Sequence, residues 1–306
     1  NSYFFFIYQY SLFVFFTAIF YAQNVQIDGG EAYDETYILF SNGMQAAIFN
    51  MSITNFYNMR VNGKTPLFEI TYSFVMFVGF QCSNVTGPFR LIASRMLMNY
   101  AEFSNLVNGV LISTKQTNQV LVDMFKTTLY LVNAKYTGNG QYKNSLHLFT
   151  GDQNYFVLEN LLFINANGGS NSIFQVTTCQ TFRIIRSVFM YTGPGLSNVT
   201  VFNLGYASDV RVVGCVFMFG GKVLVTSTIP QQLHFMDNTV ITYSHLQNIY
   251  IEKSTSNIIQ NNVFISQDYS TSIPVSTSQV QIVDSVHSVD LIQYNVFFSL
   301  MGGNGI

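Results

Sequence analysis

The sequence predicts an all-β fold, a solenoid of about 10–11 coils that forms one elongated unit. Two observations support this prediction. A pattern of apolar and polar residues recurs along most of the 306 residues, and apolar runs of strand length alternate with turns that contain Asn, Gly or Ser. No stretch as long as an ordinary helix shows an apolar period of 3.6 residues.

The repeat is clearest in residues 256–265, where Ile259, Asn262 and Phe264 define a frame. In this frame an apolar residue lies five positions before the bulky anchor, and a small or polar residue lies two before it. Four further copies contain Ile292, Asn295 and Phe297; Met236, Thr239 and Ile241; Val212, Cys215 and Phe217; and Ile184, Ser187 and Phe189. Five copies with less polar centres pair Leu158 with Phe163, Val120 with Phe125, Met98 with Phe103, Val75 with Phe80 and Met51 with Phe56.

Stacking explains why such a frame should recur. If the three positions point inward, successive coils place Ile on Ile, Asn on Asn and Phe on Phe at about 4.8 Å per coil. Each backbone then hydrogen-bonds to the coils on either side, so the frame residues are predicted to form inward ladders. Coils at this spacing give a rod roughly 50 Å long.

Three segments resemble the repeats of right-handed parallel β-helix proteins, the pectin-lyase-like fold: Ile-Ile-Gln-Asn-Asn-Val-Phe at 258–264, Leu-Ile-Gln-Tyr-Asn-Val-Phe at 291–297 and Phe-Met-Asp-Asn-Thr-Val-Ile at 235–241. The resemblance covers roughly residues 45–300. In that family an Asn often fills a tight inward turn, and the resemblance gives this place to Asn262 and Asn295. Members include polysaccharide lyases and hydrolases and proteins of protist and bacterial surfaces, so a surface location is implied but no substrate.

Composition limits the possible partners. Charged residues make up 9% of the chain and the net charge is −2, whereas a soluble domain is nearer a quarter charged. The charges are scattered singly, so no basic stripe exists to follow a phosphate backbone, and nucleic-acid binding is not expected. The 30 Phe and 19 Tyr, without a Trp, favour strands.

The chain divides into an apolar N-terminal segment, residues 1–23, and a single β-helix domain, residues 24–306. Three interpretations of the N-terminal segment stay open. It could be a secretory signal cleaved after Ala22, although Phe20 is bulky and the first basic residue is Arg60. It could be a membrane span, or a retained β-segment that closes the first coil or docks on a neighbour.

Three cysteines make a poor disulfide framework. Cys179 and Cys215 occupy different points of their repeats, so they should not stack within bonding distance. Both are predicted to be buried small apolar residues, and Cys82 has no evident partner.

No catalytic or cofactor-binding residue is predicted. Hydrolases of this fold would be expected to contain an adjacent Asp pair, a Gly-His-Gly and an Arg-Ile-Lys, and the chain lacks all three motifs. Its four histidines are isolated in the sequence. In the frame, Asp237 shares a column with Gln260, Gln293 and, three coils away, Glu159. Three coils span about 14 Å, too far for a shared metal, so a solvated polar ladder is expected.

The densest acidic patch contains Asp28, Glu31, Asp34 and Glu35 beside two glycines. It is either a surface turn or a weak candidate for a structural calcium site, because it lacks the regular alternation of a known calcium loop.

Arginines recur on an outward face. Arg183 and Arg186 flank Ile184 and Ile185, and Arg211 takes the place of Arg183 in the following coil. Two stacked guanidinium groups could hold an acidic sugar, or they are solvated strand residues.

Three Asn-x-Ser/Thr acceptors for N-linked glycans are present at Asn50, Asn84 and Asn198. Their use requires secretion.

The leading hypothesis is a non-catalytic extracellular structural β-helix glycoprotein, a subunit of a surface fibre or coat that self-associates end to end. The low charge, the missing catalytic constellation and the lack of polar end caps favour it, because uncapped solenoid ends stack. The alternatives are a carbohydrate-binding or adhesion module and a polysaccharide lyase or hydrolase. Whether the chain is an enzyme stays open.

Overall fold

The computed structural model describes the chain in segments, and it describes the side-chain surroundings of part of the residues from 74 onward. These segments are residues 2–5, 13–16, 19–23, 25–28, 37–42, 52–57, 60–62, 67–71, 73–83, 89–92, 94–104, 112–114, 128–138, 149–151, 154–165, 172–190, 200–219, 222–226, 232–242, 249–252, 255–268, 280–282 and 289–301. They contain strands and turns but no helix, and hence no helix that could span a membrane.

The described residues form 32 strands. The first sixteen are β1 Ser2–Phe5, β2 Phe13–Phe16, β3 Ile19–Gln23, β4 Val25–Asp28, β5 Tyr37–Asn42, β6 Ser52–Tyr57, β7 Arg60–Asn62, β8 Leu67–Thr71, β9 Ser73–Val78, β10 Gln81–Ser83, β11 Phe89–Ile92, β12 Arg95–Asn99, β13 Glu102–Ser104, β14 Ile112–Thr114, β15 Thr128–Val132 and β16 Lys135–Thr137. The others are β17 Phe149–Gly151, β18 Asn154–Glu159, β19 Leu162–Ile164, β20 Ser172–Ile185, β21 Val188–Met190, β22 Thr200–Val213, β23 Val216–Phe219, β24 Lys222–Thr226, β25 Gln232–Met236, β26 Thr239–Thr242, β27 Ile249–Ile251, β28 Ser256–Gln260, β29 Val263–Asp268, β30 Val280–Ile282, β31 Val289–Gln293 and β32 Val296–Met301.

The strands stack into three parallel faces. The first face contains β2, β5, β8, β11, β14, β17, β20, β22, β24, β27 and β30, and the second contains β3, β6, β9, β12, β15, β18, β20, β22, β25, β28 and β31. The third face is a 12-stranded sheet that starts at β1, continues at β4 and ends at β32. Strands β20 and β22 are long enough to lie in both of the first two faces and join them into one 20-stranded sheet.

Each coil contributes one strand to every face before the next coil begins, so the predicted all-β parallel solenoid is confirmed. Because β1 precedes the first complete coil, the 12 strands of the third face correspond to eleven coils, from β2–β4 to β30–β32. At the usual strand spacing of about 4.8 Å the third face is roughly 50 Å long.

The first three strands lie within residues 1–23. They pair in parallel with β4, β5 and β6, in the same three faces as the rest of the chain.

Between Val75 and Phe264, alternate side chains of the described strands point into a continuous apolar interior. The third face contributes a stack of aromatic rings, in which Phe163, Phe189 and Phe217 lie with centroids 4.9 and 5.2 Å apart and interplanar angles of 8° and 9°. From the first face, Phe174 and Phe202 meet this stack edge-on. Offset or edge-on aromatic contacts each add about 1 kcal/mol beyond the burial of apolar area.

The structure places most of the predicted ladder residues inside. Buried residues are Ile184, Ser187, Phe189, Val212, Cys215, Phe217, Ile259, Asn262 and Phe264. Ile292, Asn295 and Phe297 continue the same register in the last coil.

The frame proposed for Met236, Thr239 and Ile241 was wrong by one residue. The residues that align with Ile259, Asn262 and Phe264 are Phe235, Asn238 and Val240, all buried. The cause is an exchange of large and small side chains between two positions. This coil has Phe235 five positions before the anchor, where the next coil has Ile259, and Val240 at the anchor, where the next coil has Phe264. The ring centroid of Phe235 lies 6.3 Å from those of both Phe217 and Phe264, so this ring connects the two parts of the aromatic stack.

Among the upstream copies, the coil stacked on Met98 and Phe103 contains Leu131 and Tyr136. It replaces the predicted pair Val120 and Phe125, which lies outside the described residues. Tyr136 in turn stacks on Phe163, so no further coil intervenes.

Two more pairs were placed out of register. Met98 and Phe103 align with Phe77 and Cys82, not with Val75 and Phe80. Phe56 aligns with Phe77, five positions before an anchor, and Met51 lies outside the described residues. These coils have no polar turn residue to mark the register, so several assignments of the inward apolar positions fit their sequences equally well.

A two-residue turn joins the second face to the third in nine successive coils. Its first residue points outward with a positive φ of 50–67°, and its second points inward. The outward residues are Gly79, Tyr100, Asn133, Asn160, Arg186, Gly214, Asp237, Asn261 and Tyr294. At Gly214 an added Cβ would lie 3.7 Å from the Arg186 side chain, so the glycine relieves backbone strain and not crowding.

The inward residues Asn238, Asn262 and Asn295 form an amide ladder. The Asn262 Oδ1 accepts from the Asn238 backbone N–H at 2.9 Å, and the Asn295 Oδ1 accepts from the Asn262 N–H at 2.9 Å. Each Nδ2 donates backwards, that of Asn262 to the Phe235 carbonyl at 2.8 Å and that of Asn295 to the Ile259 carbonyl at 2.7 Å. Each amide therefore satisfies two backbone groups of the preceding coil.

The ladder starts at Asn238, whose Oδ1 accepts from the Cys215 N–H of the preceding coil at 2.8 Å. In an earlier coil Ser187 occupies the inward turn position, and its Oγ accepts from the Leu161 N–H at 3.1 Å. A hydroxyl can thus replace the amide as acceptor.

We predict that Asn262→Ala lowers the free energy of unfolding by about 3 kcal/mol, because it leaves the Asn238 N–H and the Phe235 carbonyl without partners in an apolar interior. Urea denaturation followed by circular dichroism measures this loss. The matched control is Gln260→Ala, an outward position in the same coil, for which a change below about 0.5 kcal/mol is expected. Equal losses in both variants would contradict the structural role of the ladder.

Candidate functional site

Three charged side chains lie together on the second face. Strands β20 and β22 pair Arg183 with Arg211, as the sequence predicted. Asp209, two residues before Arg211 on β22, bridges them: its Oδ2 lies 3.1 Å from an Nη of Arg183 and its Oδ1 lies 2.9 Å from the Nε of Arg211. The carboxylate fixes both guanidinium groups side by side.

Two opposed effects set the charge of Asp209. Partial burial by itself would raise its pKa, but hydrogen bonds from Arg211 and Arg183, together with their positive charges, outweigh burial and hold the pKa below its usual value. Asp209 is therefore ionised at neutral pH, and the three residues together carry one net positive charge.

His234 follows Arg211 in the next coil. Burial and the neighbouring Arg211 charge lower its pKa, and Asp209 raises it less, so the imidazole is neutral at pH 7. The column thus presents Arg183, Arg211 and an uncharged His234 in three successive coils.

We name Arg183, Asp209, Arg211 and His234 the arginine cluster. The two arginine side chains are about two-fifths exposed, while Asp209 is mostly covered. Their outer Nη groups can donate paired hydrogen bonds to a carboxylate or sulfate, which is the geometry that guanidinium groups favour. The cluster therefore offers chemistry for binding an anion.

Arg186 is separate from the cluster. It occupies the outward turn position and forms an ion pair with Glu159 of the preceding coil. Because the arginine is largely exposed, this pair contributes little to stability.

The expected column pairs Gln260 with Gln293 as predicted, but the place given to Asp237 in it was wrong. Asp237 is an outward turn residue, and its carboxylate accepts from the Asn261 amide at 3.1 Å. Gln260 aligns with Met236. The error follows from the one-residue shift of that coil.

The weak calcium candidates receive no structural support among the described residues. Asp28 ends β4, and Glu31, Asp34 and Glu35 lie outside the described residues. Within the described part of the chain, no group of three or more His, Cys, Asp or Glu side chains is placed to hold a metal ion. The glycan acceptors Asn50, Asn84 and Asn198 also lie outside the described residues.

Cys179 and Cys215 are free and buried, as predicted. Burial raises the pKa of each thiol to about 12, and the Asp209 charge adds to the effect at Cys179. Neither thiol is available as a nucleophile at neutral pH.

A second surface feature is the last coil, which we call the open end. Its inward residues Ile292 and Phe297 are 48% and 52% exposed, while Ile259 and Phe264 in the preceding coil are fully buried. The Phe297 ring lies 5.0 Å from that of Phe264 with an interplanar angle of 6°, so one ring face is stacked. Leu291, Val296 and Phe298 are also exposed.

Comparisons with protein-family models, curated proteins and solved structures find no match to this chain. Functional inference therefore rests on the arginine cluster and the open end.

Sequence reasoning found the two stacked arginines but not Asp209. The available signal was the Asp-x-Arg spacing of Asp209 and Arg211 one repeat after Arg183, where the coil register brings the three side chains together. His234 was noticed only as an isolated residue because its coil was placed one residue out of frame.

We predict that Asp209→Asn makes stability less sensitive to acid. The folded-state pKa of Asp209 is depressed, so its contribution is complete above the unfolded value, about 3.9, and is lost as the pH falls through the folded value. The contribution is about 1 kcal/mol or less, since the ion pair is partly exposed. Urea denaturation at a series of pH values between neutrality and the acid range measures it.

The control places the same substitution in an Arg183→Gln, Arg211→Gln background. There the groups that lower the Asp209 pKa are gone and burial, which raises it, remains, so Asp209→Asn should no longer reduce the acid sensitivity. An equal effect in both backgrounds would rule out the arginine pairing as its cause.

Proposed function

We propose that this chain is a non-catalytic extracellular structural glycoprotein, a β-helix rod that joins end to end in a surface fibre or coat. We further propose a relationship to the pectin-lyase-like β-helix proteins, supported by the three-faced coil and the inward amide ladder at Asn238, Asn262 and Asn295.

The open end is the observation on which the proposal depends. Six of the nine large apolar side chains that are exposed among the described residues belong to the last coil. Its strands β30, β31 and β32 also have pairing partners on one side only within the described sheets. Exposed apolar side chains grouped in one coil favour association through hydrophobic contact.

The extracellular part of the proposal draws on sequence features. Glycan acceptors at Asn50, Asn84 and Asn198 fit a secreted protein, and a surface poor in charge and rich in Asn, Ser, Thr and Tyr fits a packed coat. Self-association and N-linked glycans are the partners that this function requires.

We expect the polypeptide of residues 1–306 to self-associate with rising concentration, through the open end. Phe297→Lys should raise the apparent dissociation constant at least about tenfold, because it places a charge in an apolar contact. Sedimentation velocity measures the constant, and negative-stain electron microscopy shows the form of the assembly.

The control is Tyr206→Lys, which changes an exposed aromatic residue on β22, away from the open end. It should associate like the unmodified chain. A chain that stays monomeric at all concentrations, or variants that behave alike, would refute end-to-end assembly.

The arginine cluster favours a second candidate, a carbohydrate-binding or adhesion module for acidic polysaccharide. Arg183 and Arg211 lie in adjacent coils, and Asp209 holds them in place, which reduces the entropy lost when an anionic sugar binds. A lyase or hydrolase activity on the same polysaccharide is the enzymatic form of this candidate.

For this candidate we expect polygalacturonate or alginate to bind to the chain, and binding to fall at least about tenfold in an Arg183→Gln, Arg211→Gln variant. Arg186→Gln, outside the cluster, is the matched control and should bind normally. Calorimetry measures affinity, and release of unsaturated sugars would reveal a lyase. Equal binding by both variants would remove the cluster from consideration.

A further inference from the structure

The outer side of the third face changes in character along the rod. In β10, β13 and β16 its outward positions include Gln81, Glu102 and Lys135. In the next five strands, β19, β21, β23, β26 and β29, the second residue is buried in the core, so the first and third residues point outward. These outward side chains are apolar except for Thr239, and none is charged. We name them the apolar stripe.

The apolar stripe is regular enough to pack against another sheet. Its five strands pair in unbroken register, and its outer two strands lie roughly 20 Å apart at the usual strand spacing. Apolar side chains on one side of a sheet are covered best by a second sheet about 10 Å away. Because the register does not shift, facing rows of side chains can stay opposite each other over all five coils.

One edge of the stripe is formed by the outward turn residues that precede these strands. They are exposed and follow each other from coil to coil in the order Asn160, Arg186, Gly214, Asp237, Asn261. The row has an amide at each end and a glycine at its centre, and the two residues beside the glycine carry opposite charges. If the row meets a reversed copy of itself, each charge therefore faces its opposite.

We propose that the apolar stripe binds the apolar stripe of a second copy of this chain, with the two rods antiparallel. The two-fold axis runs along β23, so Met218 faces the partner's Met218 and β19 of each copy faces β29 of the other. At the edge, Arg186 of each copy lies beside the partner's Asp237. A contact of this kind uses the same patch on both partners and closes on itself.

The bonds already made within the chain are compatible with this contact. Arg186 forms an ion pair with Glu159, and the Asp237 carboxylate accepts from the Asn261 amide at 3.1 Å. A guanidinium group has five N–H donors and a carboxylate accepts about four hydrogen bonds, so both groups can also bond across the contact.

The order of charges selects the antiparallel arrangement over a parallel one. If the rods were parallel, each coil would face the same coil of the partner, and the two rows of turn residues would lie at opposite edges of the contact. Arg186 would then be distant from the partner's Asp237. Electrostatic complementarity of this kind fixes the register of an interface more than its affinity.

The contact is expected to be weak, because a stripe roughly 20 Å by 10 Å is smaller than the surface of about 800 Å² per partner in a standard interface. It is separate from the open end and does not depend on end-to-end assembly. Its test is therefore made in a Phe297→Lys background, in which the open end carries a charge.

The test exchanges the charges at the edge. Arg186 and Asp237 occupy the same turn position with φ of 50° and 57°, so each residue type fits the backbone at the other place. Sedimentation equilibrium should show that Arg186→Asp or Asp237→Arg alone weakens dimerisation at least about tenfold, because like charges then meet twice. A chain with both exchanges should recover the original affinity, because both ion pairs are restored.

Mixing the two single variants gives a further measurement. In their heterodimer each introduced charge meets its opposite, so it should form at least about tenfold more tightly than either homodimer. The matched control is Arg95→Asp, which makes the same change of charge at an exposed position of β12 on the second face and should dimerise normally. Circular dichroism establishes that every variant is folded.

The remaining outcomes overturn the proposal. A Phe297→Lys chain that stays monomeric at all concentrations has no contact through the apolar stripe. Single variants that dimerise like Arg95→Asp, or no recovery in the double variant and the mixture, exclude the antiparallel register. None of these results bears on end-to-end assembly, which the comparison of Phe297→Lys with the unmodified chain tests by itself.

Discussion

The hydrogen bonding of the inward turn is the constraint on which the rest of the structure depends. Between the second and third faces, nine successive coils turn on one outward residue of positive φ and one inward residue. The backbone N–H of the inward residues Cys215, Asn238 and Asn262 donates to a side chain of the following coil. An unpaired N–H there costs about 1–3 kcal/mol. The amides of Asn238, Asn262 and Asn295 remove this cost by accepting from one coil and donating back to it, which ties the register of each coil to the next.

With the turn fixed, the interior has to fill with side chains of matching volume. The coil with Phe235 and Val240 shows how strongly volume governs packing, because it exchanges large and small residues between two positions and still keeps a continuous aromatic stack. In the coils before residue 162 the inward turn residues include Ala101, Ala134 and Leu161, all buried. The backbone bond from Lys135 N–H to the Ala101 carbonyl, 2.8 Å, has its equivalent in the amide-ladder coils, where Val263 N–H donates to the Asn238 carbonyl at 2.9 Å, so this bond is common to both kinds of coil.

In a repeated interior of this kind most side chains serve to stack one coil on the next. Candidate functional features are therefore found where the repeat is interrupted. The arginine cluster departs from it on the outer surface, where Asp209 holds two guanidinium groups that the repeat has aligned. The open end departs from it along the axis, because Phe297 is stacked on one side only. Both features use positions that the solenoid itself creates: adjacent coils in the first case and an uncovered coil in the second.

The sequence by itself determined the fold class, the inward places of Asn262 and Asn295, and the pairing of Arg183 with Arg211, because a strict period in residue type is visible in one dimension. Only the tertiary structure decided the frame of the coil around Asn238, the position of the coil at residues 128–137, and the role of Asp209. Coil length varies and a large side chain can move between inward positions, so several apolar frames fit the sequence equally well. Hydrogen bonds and packing across coils select one of them.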